Sequence, residues 1–154
     1  MGKLNTKKAC ITDDSRRVFL KKASNLFIDK LFGDDNDLNL QVVDSRLVSG
    51  FPDNANGWAM PVQPGYYQIA IQHEYLTDNH QLLSTFAHEF GHIQQYMSGD
   101  LVYEEGIGIT WRGRLFREDS FRNTVVADWA SRPWEMHANG VRDFLLKTYK
   151  SDLI

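Results

Sequence analysis

Hydrophobic residues recur every three or four positions in an early segment of the chain: Phe19, Ala23, Leu26, Phe27 and Leu31. This spacing predicts an amphipathic helix. Asp14 or Ser15 can cap its start, because a short oxygen-bearing side chain accepts hydrogen bonds from the first free backbone N–H groups. Gly33 predicts its end.

The pattern then changes to the alternation typical of strands. Leu38, Leu40 and Val42 alternate with polar residues, and a second extended piece is predicted from Arg46 to Val48. A loop rich in Gly, Pro, Asn and Asp follows at 49–57. The clearest predicted strand is GYYQIAIQ, in which Tyr67, Ile69 and Ile71 share one face.

Helical spacing returns after Thr77 and Asp78, either of which can cap a helix that Ser98 and Gly99 end. Its predicted apolar stripe comprises Leu82, Leu83, Phe86, Phe90, Ile93 and Met97. Arg112-Gly113 between ITW and RLF predicts a hairpin. A last helix is predicted from Ser131 towards Lys150, with Pro133 in its first turn. This order of elements predicts one α+β domain over 1–154, in which residues 1–13 are flexible.

Composition narrows the classes of protein. The chain has 17 Lys and Arg against 20 Asp and Glu, a formal charge of −3, and no basic face for nucleic acid. It has no apolar run of membrane-spanning length, so no membrane partner is expected. The single cysteine, Cys10, excludes an internal disulfide and a cysteine-based zinc site. We expect a soluble, cytoplasmic protein; its oligomeric state is left open.

The predicted helix between the cap at Thr77 or Asp78 and the stop at Ser98-Gly99 carries His88, Glu89 and His92 in the pattern HExxH. Two imidazoles four residues apart stand one turn apart on a helix, close enough for both to bind one metal ion. They point nearly opposite the apolar stripe. Glu89 falls at the edge of that face, where a carboxylate can take a proton from metal-bound water without being a ligand. Ala87 and Gly91 are small enough for another segment to approach closely.

A catalytic zinc site needs a third protein ligand. Glu135 and His137 are the candidates in SRPWEMHANG, and two positions on a helix are about 200° apart, so both cannot face one ion. The stripe of the last helix, Trp134, Ala138, Val141 and Leu145, is predicted to face the core. Glu135 lies on one flank of it, beside Ala138 and Asn139, and is the favoured third ligand; His137 lies on the other flank.

These residues carry a family resemblance. TFAHEFGH at 85–92, followed by Glu135, resembles zincin metallopeptidases of gluzincin type, in which a glutamate on a later helix completes a His, His, Glu site. E-x-x-A-N at 135–139 is similar to a string of ImmA/IrrE-like peptidases. WRG at 111–113 and PWE at 133–135 resemble small metallopeptidase-like proteins of tailed phages, which are grouped with SprT-like zincins.

The resemblance implies a minimal zincin domain with a short mixed sheet, an HExxH helix and a ligand-bearing C-terminal helix. It also implies that an edge strand, here Tyr66 to Gln72, binds a peptide or protein substrate as an added strand. SprT-like proteases usually have a third histidine and a DNA-binding extension, and this chain departs from that pattern. The site residues and the resemblance together give the expected function, a zinc metallopeptidase with one Zn²⁺ per chain and Glu89 as general base. If the protein is phage-encoded, the expected location is the host cytoplasm.

Two other functions stay open at this stage. One is a catalytically silent binding, phage structural or regulatory protein that keeps a zincin fold. The other is a zinc amidase acting on a cell-wall crosslink. For a peptidase, the oxyanion needs a donor besides the metal. Five residues are candidates for this role: His73, Tyr96, Tyr103, Arg132 and His137.

Overall fold

The computed structural model describes residues 3–5, 14–33, 37–117 and 131–154. In these ranges the chain forms a small α+β fold with three long helices and two small sheets. The expected flexibility of residues 1–13 falls largely outside the described part, as do Cys10 and the segment 118–130.

The first sheet is mixed, as expected. Its strands are β1 (Lys3–Asn5), β2 (Asn39–Asp44), β3 (Gly57–Gln63) and β4 (Tyr66–Ile71), in the order β1-β2-β4-β3. β1, β2 and β4 are parallel, and β3 pairs antiparallel with β4.

The expectation that Tyr66 to Gln72 is an edge strand is wrong. β4 lies between β2 and β3, and its last three side chains are all buried. In the described sheet the edge strand next to β4 is β3, and the opposite edge is β1. β3 was not predicted from the sequence, because GWAMPVQ contains Pro61 and lacks alternation. Pro is tolerated on an edge strand, where its missing N–H costs no ladder hydrogen bond, and the register of β3 shifts between Pro61 and Gln63.

The prediction of an extended segment from Arg46 to Val48 is also wrong. Ser45–Leu47 forms a short 3₁₀ helix, and the side chain of Asp44 accepts a hydrogen bond from the Arg46 N–H at its start. This local capping bond favours a turn over continuation of β2.

The three long helices agree with the predicted ones. They are α1 (Asp14–Phe32), α2 (Asn79–Ser98) and α3 (Pro133–Leu153). Asp78 caps α2 by accepting from the N–H groups of His80 and Gln81, while Gly99 ends it at φ 82°. Pro133 occupies the first turn of α3, as predicted.

The second sheet follows α2 and consists of β5 (Leu101–Glu104), β6 (Gly108–Trp111) and β7 (Arg114–Arg117). The predicted hairpin joins β6 to β7. Its turn residues, Arg112 and Gly113, both have positive φ, the conformation of a type I′ turn.

The main core lies between α1, α2, α3 and the first sheet, where Phe27, Phe86 and Phe90 contact one another edge to face or tilted. A smaller cluster of Leu101, Trp111 and Trp134 fixes the second sheet against the start of α3. Met97 departs from the predicted stripe of α2: it is 40% exposed, because it lies in the last turn, beyond the main core.

Candidate metal centre

His88 and His92 lie on successive turns of α2, with their ring centroids 4.8 Å apart. His92 is buried and His88 is partly buried. As predicted, the two imidazole rings lie on the side of α2 away from its apolar stripe. They face α3 and a cleft.

Glu135, in the first turn of α3, completes the group. Its Oε1 lies 3.6 Å from His88 Nε2, and its Oε2 lies 2.8 Å from His92 Nε2. One ligand atom from each of the three residues lies within 4.8 Å of the others. Tetrahedral zinc with bonds of about 2.0 to 2.1 Å holds its ligand atoms roughly 3.3 Å apart. The structure thus brings together the three residues predicted as ligands, at a spacing that one zinc ion fits.

Gln95 determines which nitrogen of His92 carries a proton. Its Nε2 donates to the Trp134 carbonyl oxygen at 2.9 Å, and a carbonyl can only accept. Its Oε1 is therefore the atom 2.8 Å from His92 Nδ1, so this ring nitrogen must donate. When His92 is neutral, its Nε2 consequently presents a lone pair to Glu135.

Asn139 has the same effect on His88. Arg142 Nη1, which can only donate, lies 3.2 Å from Asn139 Oδ1. The same oxygen lies 2.8 Å from His88 Nδ1, so that nitrogen also carries its proton. Both neutral histidines therefore direct Nε2 lone pairs towards one carboxylate. Three such acceptors in a buried site need a cation between them, either a proton or a metal ion.

The chemistry of the donor set fits zinc. Two imidazole nitrogens and one carboxylate oxygen are zinc ligands of a catalytic site, in which the fourth position is kept for water or substrate. The amide groups that hold the two rings are the outer contacts that orient metal-binding histidines. His88, His92 and Glu135 form a possible metal-binding triad.

In the absence of metal, a proton can take the place of the cation. Burial alone would lower the pKa of His92, but close contact with Glu135 and the charges of Glu89 and Glu135 outweigh it and raise that pKa to about 9. Burial opposes ionisation of Glu135, yet the contacts with His88 and His92 lower its pKa to about 2. His92 and Glu135 therefore form a buried ion pair when no metal is bound.

Glu89 lies beside the triad without belonging to it. It is 3% exposed, and its Oε1 is 4.0 Å from His88 Nε2. Its Oε2 is buried and has no hydrogen-bond partner among the described residues. Burial raises the pKa of Glu89, while the nearby histidines oppose the rise. A carboxylate in this position is able to accept a proton next to the metal position.

The triad and Glu89 line a cleft of about 710 Å³. One wall is the edge strand β3 and the loop before it; the others come from α2 and α3. Of the five candidates for an oxyanion donor, Tyr96 lines this cleft and the other four do not. His137 Nδ1 accepts a hydrogen bond from Gln95 Nε2, and His73 Nδ1 donates one to Asp44. These two histidines therefore make structural hydrogen bonds outside the cleft.

Sequence reasoning missed three features of the site: the roles of Gln95 and Arg142, and the strand β3. Gln95 is three positions after His92, and Arg142 is seven after Glu135. Both spacings return to the same helical face, so helical periodicity applied from each predicted ligand would have found them. Asn139 was predicted as a small neighbour, and in the structure it holds His88.

No family model, no curated protein and no solved structure matches this chain. Function is therefore inferred from the side chains of the site itself. None of the helices in the described ranges combines the length and the hydrophobicity that a membrane-spanning helix needs.

Proposed function

We propose that the protein is a zinc-dependent metallopeptidase of the zincin, gluzincin-like type. The observation that supports this best is the convergence of His88, His92 and Glu135 beside the buried carboxylate of Glu89, whose Oε2 has no hydrogen-bond partner among the described residues. Three protein ligands are typical of a catalytic rather than a closed zinc site, and the second carboxylate, that of Glu89, supplies a base.

His88, His92 and Glu135 would hold the ion. When bound, zinc lowers the pKa of a water molecule towards about 7 and polarises a carbonyl group. Glu89 accepts the proton of the attacking water as the oxygen adds to the scissile carbonyl carbon. Glu89 then passes that proton to the amine nitrogen as the carbon–nitrogen bond breaks.

The edge strand β3 supports a peptide as substrate. Within the described part of the chain, β3 pairs on one side only, and Gly57, Trp58 and Ala59 line the cleft. An extended peptide can add to such an edge through backbone hydrogen bonds, which brings its carbonyl groups towards the wall of the cleft.

Glu89 also argues against a catalytically silent binding protein. A structural zinc site is usually closed by four protein ligands and needs no base. A buried carboxylate oxygen without a hydrogen-bond partner, as Glu89 Oε2 is among the described residues, costs stability, so its position beside the triad favours a catalytic role. Hydrolysis of a cell-wall amide would use the same groups, and it is separated from peptidase activity by the substrate tests below.

The first test is metal content. We expect one zinc per chain by mass spectrometry of the purified protein. Glu135→Ala should lose the zinc, whereas the matched variant His137→Ala should keep it. A native protein that takes up no metal when zinc is supplied would refute the proposal.

The second test is hydrolysis. Zinc-loaded protein is incubated with a peptide library and, separately, with peptidoglycan, and products are identified by mass spectrometry. Glu89→Gln should keep zinc and reduce peptide cleavage by about 10² to 10⁴. Glu105→Gln, on an exposed turn, is the matched control and should cleave normally. Retained cleavage in Glu89→Gln would overturn the assigned base, and cleavage of peptidoglycan alone would favour the amidase.

A further inference from the structure

The cleft has two chemically different ends. α2 and α3 run in opposite directions across it. Gln95, late in α2, contacts Trp134 at the start of α3, while His88, two turns earlier in α2, contacts Asn139 further along α3. The end beyond Gln95 is lined by Tyr96, Leu101 and Trp134. The end beyond His88 is polar and is lined by Gln81, Ser84, Asn139 and Arg142.

Arg142 has the only side chain with a permanent positive charge among the described residues that line the cleft. Its Nη1 donates to Asn139 Oδ1 at 3.2 Å and its Nε donates to Asp143 Oδ1 at 3.0 Å. The Arg142 side chain is 32% exposed, whereas that of Asp143 is 69% exposed and well solvated. These contacts hold the guanidinium group at the rim, and they leave Nη2 without a described partner.

We propose that Arg142 binds a carboxylate of the substrate at the polar end of the cleft. This inference rests on the proposed peptidase function and specifies its substrate class. A guanidinium group binds a carboxylate through two parallel hydrogen bonds, a geometry that lysine or an amide cannot reproduce. Glu89 and Glu135, the acidic residues that line the cleft, lie at the triad, so Arg142 is the charged group at the polar end.

The distance from the triad limits where the carboxylate lies in the substrate. Arg142 is seven residues after Glu135 on α3, which corresponds to about 10 Å along the helix axis. An extended peptide covers about 3.3 to 3.6 Å per residue. The carboxylate therefore lies roughly two or three residues from the scissile bond, either as an acidic side chain or as the free C-terminus.

Binding of small zinc-directed probes tests this without a known substrate. Five short peptides each carry a hydroxamate, which binds zinc. The first has the hydroxamate at its N-terminus, an amidated C-terminus and neutral side chains. The second differs from the first by a free C-terminal carboxylate, and the third differs from the first by a glutamate side chain. The fourth carries its hydroxamate at the C-terminus and a glutamate before it, and the fifth is its glutamine equivalent. Affinities for the zinc-loaded protein are measured by calorimetry.

We expect at least one carboxylate probe to bind about 10 to 100 times more tightly than its neutral counterpart. Arg142→Gln should abolish this difference. Because Arg142 also donates to Asn139, which holds His88, zinc content and the affinity of the neutral probes are measured in each variant, and the ratio of charged to neutral probe affinity within that variant is the readout. Arg142→Lys should retain part of it. Lys147→Gln, an exposed cation on the same helix, should behave as the native protein. A gain for the second probe alone identifies the C-terminus as the source, and a gain for the third or fourth identifies an acidic side chain.

Two results would overturn the inference. Equal affinities for charged and neutral probes in the native protein would show that Arg142 does not select a carboxylate, while the zinc site itself stands. A preference that persists in Arg142→Gln would assign the carboxylate to another group. If no hydroxamate binds the zinc-loaded protein, the proposed function fails, and this inference fails with it.

Discussion

Gly91 of α2 lies against the backbone of Ala138 of α3. A Cβ atom placed on Gly91 would be 2.8 Å from Ala138 Cα and 3.0 Å from Ala138 Cβ, closer than the atoms can approach. The two helices therefore cross in backbone contact, one residue before His92 and three after Glu135. This contact sets the separation between the two helices that supply the triad.

Gly91→Ala should separate α2 from α3 and draw Glu135 away from His88 and His92. We expect a loss of about 1 to 3 kcal/mol in the free energy of unfolding, as for other overpacked sites, and a weaker zinc affinity. Gly140→Ala is the matched control, because a Cβ there meets no atom within 4 Å. The control should be neutral or stabilising by up to about 1 kcal/mol, since alanine is the better helix former.

Urea unfolding and zinc titration measure both effects. Equal stability of Gly91→Ala and Gly140→Ala would show that the helices do not depend on this close contact.

Gln95 should control zinc affinity although it does not touch the metal position. It is 1% exposed and joins His92 Nδ1, the Trp134 carbonyl oxygen and His137 Nδ1. Gln95→Leu removes the acceptor that orients the His92 ring, and losses of such outer contacts typically weaken metal binding by about 10 to 100 times. Competition against a zinc chelator measures the affinity.

The neighbouring Gln94 provides the control. It is only partly buried and lies outside the cleft. Gln94→Leu should keep native zinc affinity, and a loss of equal size in both variants would refute the specific role of Gln95.

Much of the site could be predicted from the sequence because its parts are local. His88 and His92 are one turn apart on one helix, and the flank of α3 that carries Glu135 follows from the stripe of Trp134, Ala138 and Leu145. Helical periodicity is strong in both segments, so the faces were assigned correctly. The α+β class followed from the order of the elements.

The order of strands in the sheet could not be predicted in this way. The alternation in β4 indicates which side chains share a face, but it does not indicate which strands lie beside it. In the structure β4 pairs with β2 on one side and with β3 on the other. β3 has no alternation because its own residues are mostly exposed, and its pairing with β4 depends on tertiary contacts. The true edge of the cleft was missed for this reason.

Gly57 at the start of β3 should control the width of the cleft. A Cβ there would be 2.8 Å from Thr85 Cγ2 and 2.9 Å from the Ala70 carbonyl oxygen. Gly57→Ala should therefore displace the edge strand from α2 beside Glu89. We expect peptide cleavage to fall by at least about 10 times, as small misplacements at an active site do, with zinc content unchanged. Native cleavage in this variant would show that the start of β3 does not position the substrate.

The ion pair of His92 and Glu135 should make the stability of the metal-free protein depend on pH. In the folded state the pKa of His92 is about 9, above its ordinary 6.5. The pair therefore stabilises fully between pH 4.5 and 6.5, and it loses a contribution of at most about 3 kcal/mol as the pH rises through 9. The pKa of Glu135 is about 2, below its ordinary 4.5, so the pair also loses its stabilising contribution as the pH falls from 4.5 to 2.

Urea unfolding with a chelator should therefore give a lower free energy of unfolding at pH 9 than at pH 6. Zinc should reverse this trend, because binding requires the unprotonated form of His92 and is stronger at higher pH. Glu135→Gln removes the main partner of His92 and should flatten the metal-free dependence. If the free energy of unfolding of metal-free Glu135→Gln varied with pH as steeply as that of the native protein, the pH dependence would come from other groups. A proton shared by His92 and Glu135 would then not take the place of the metal.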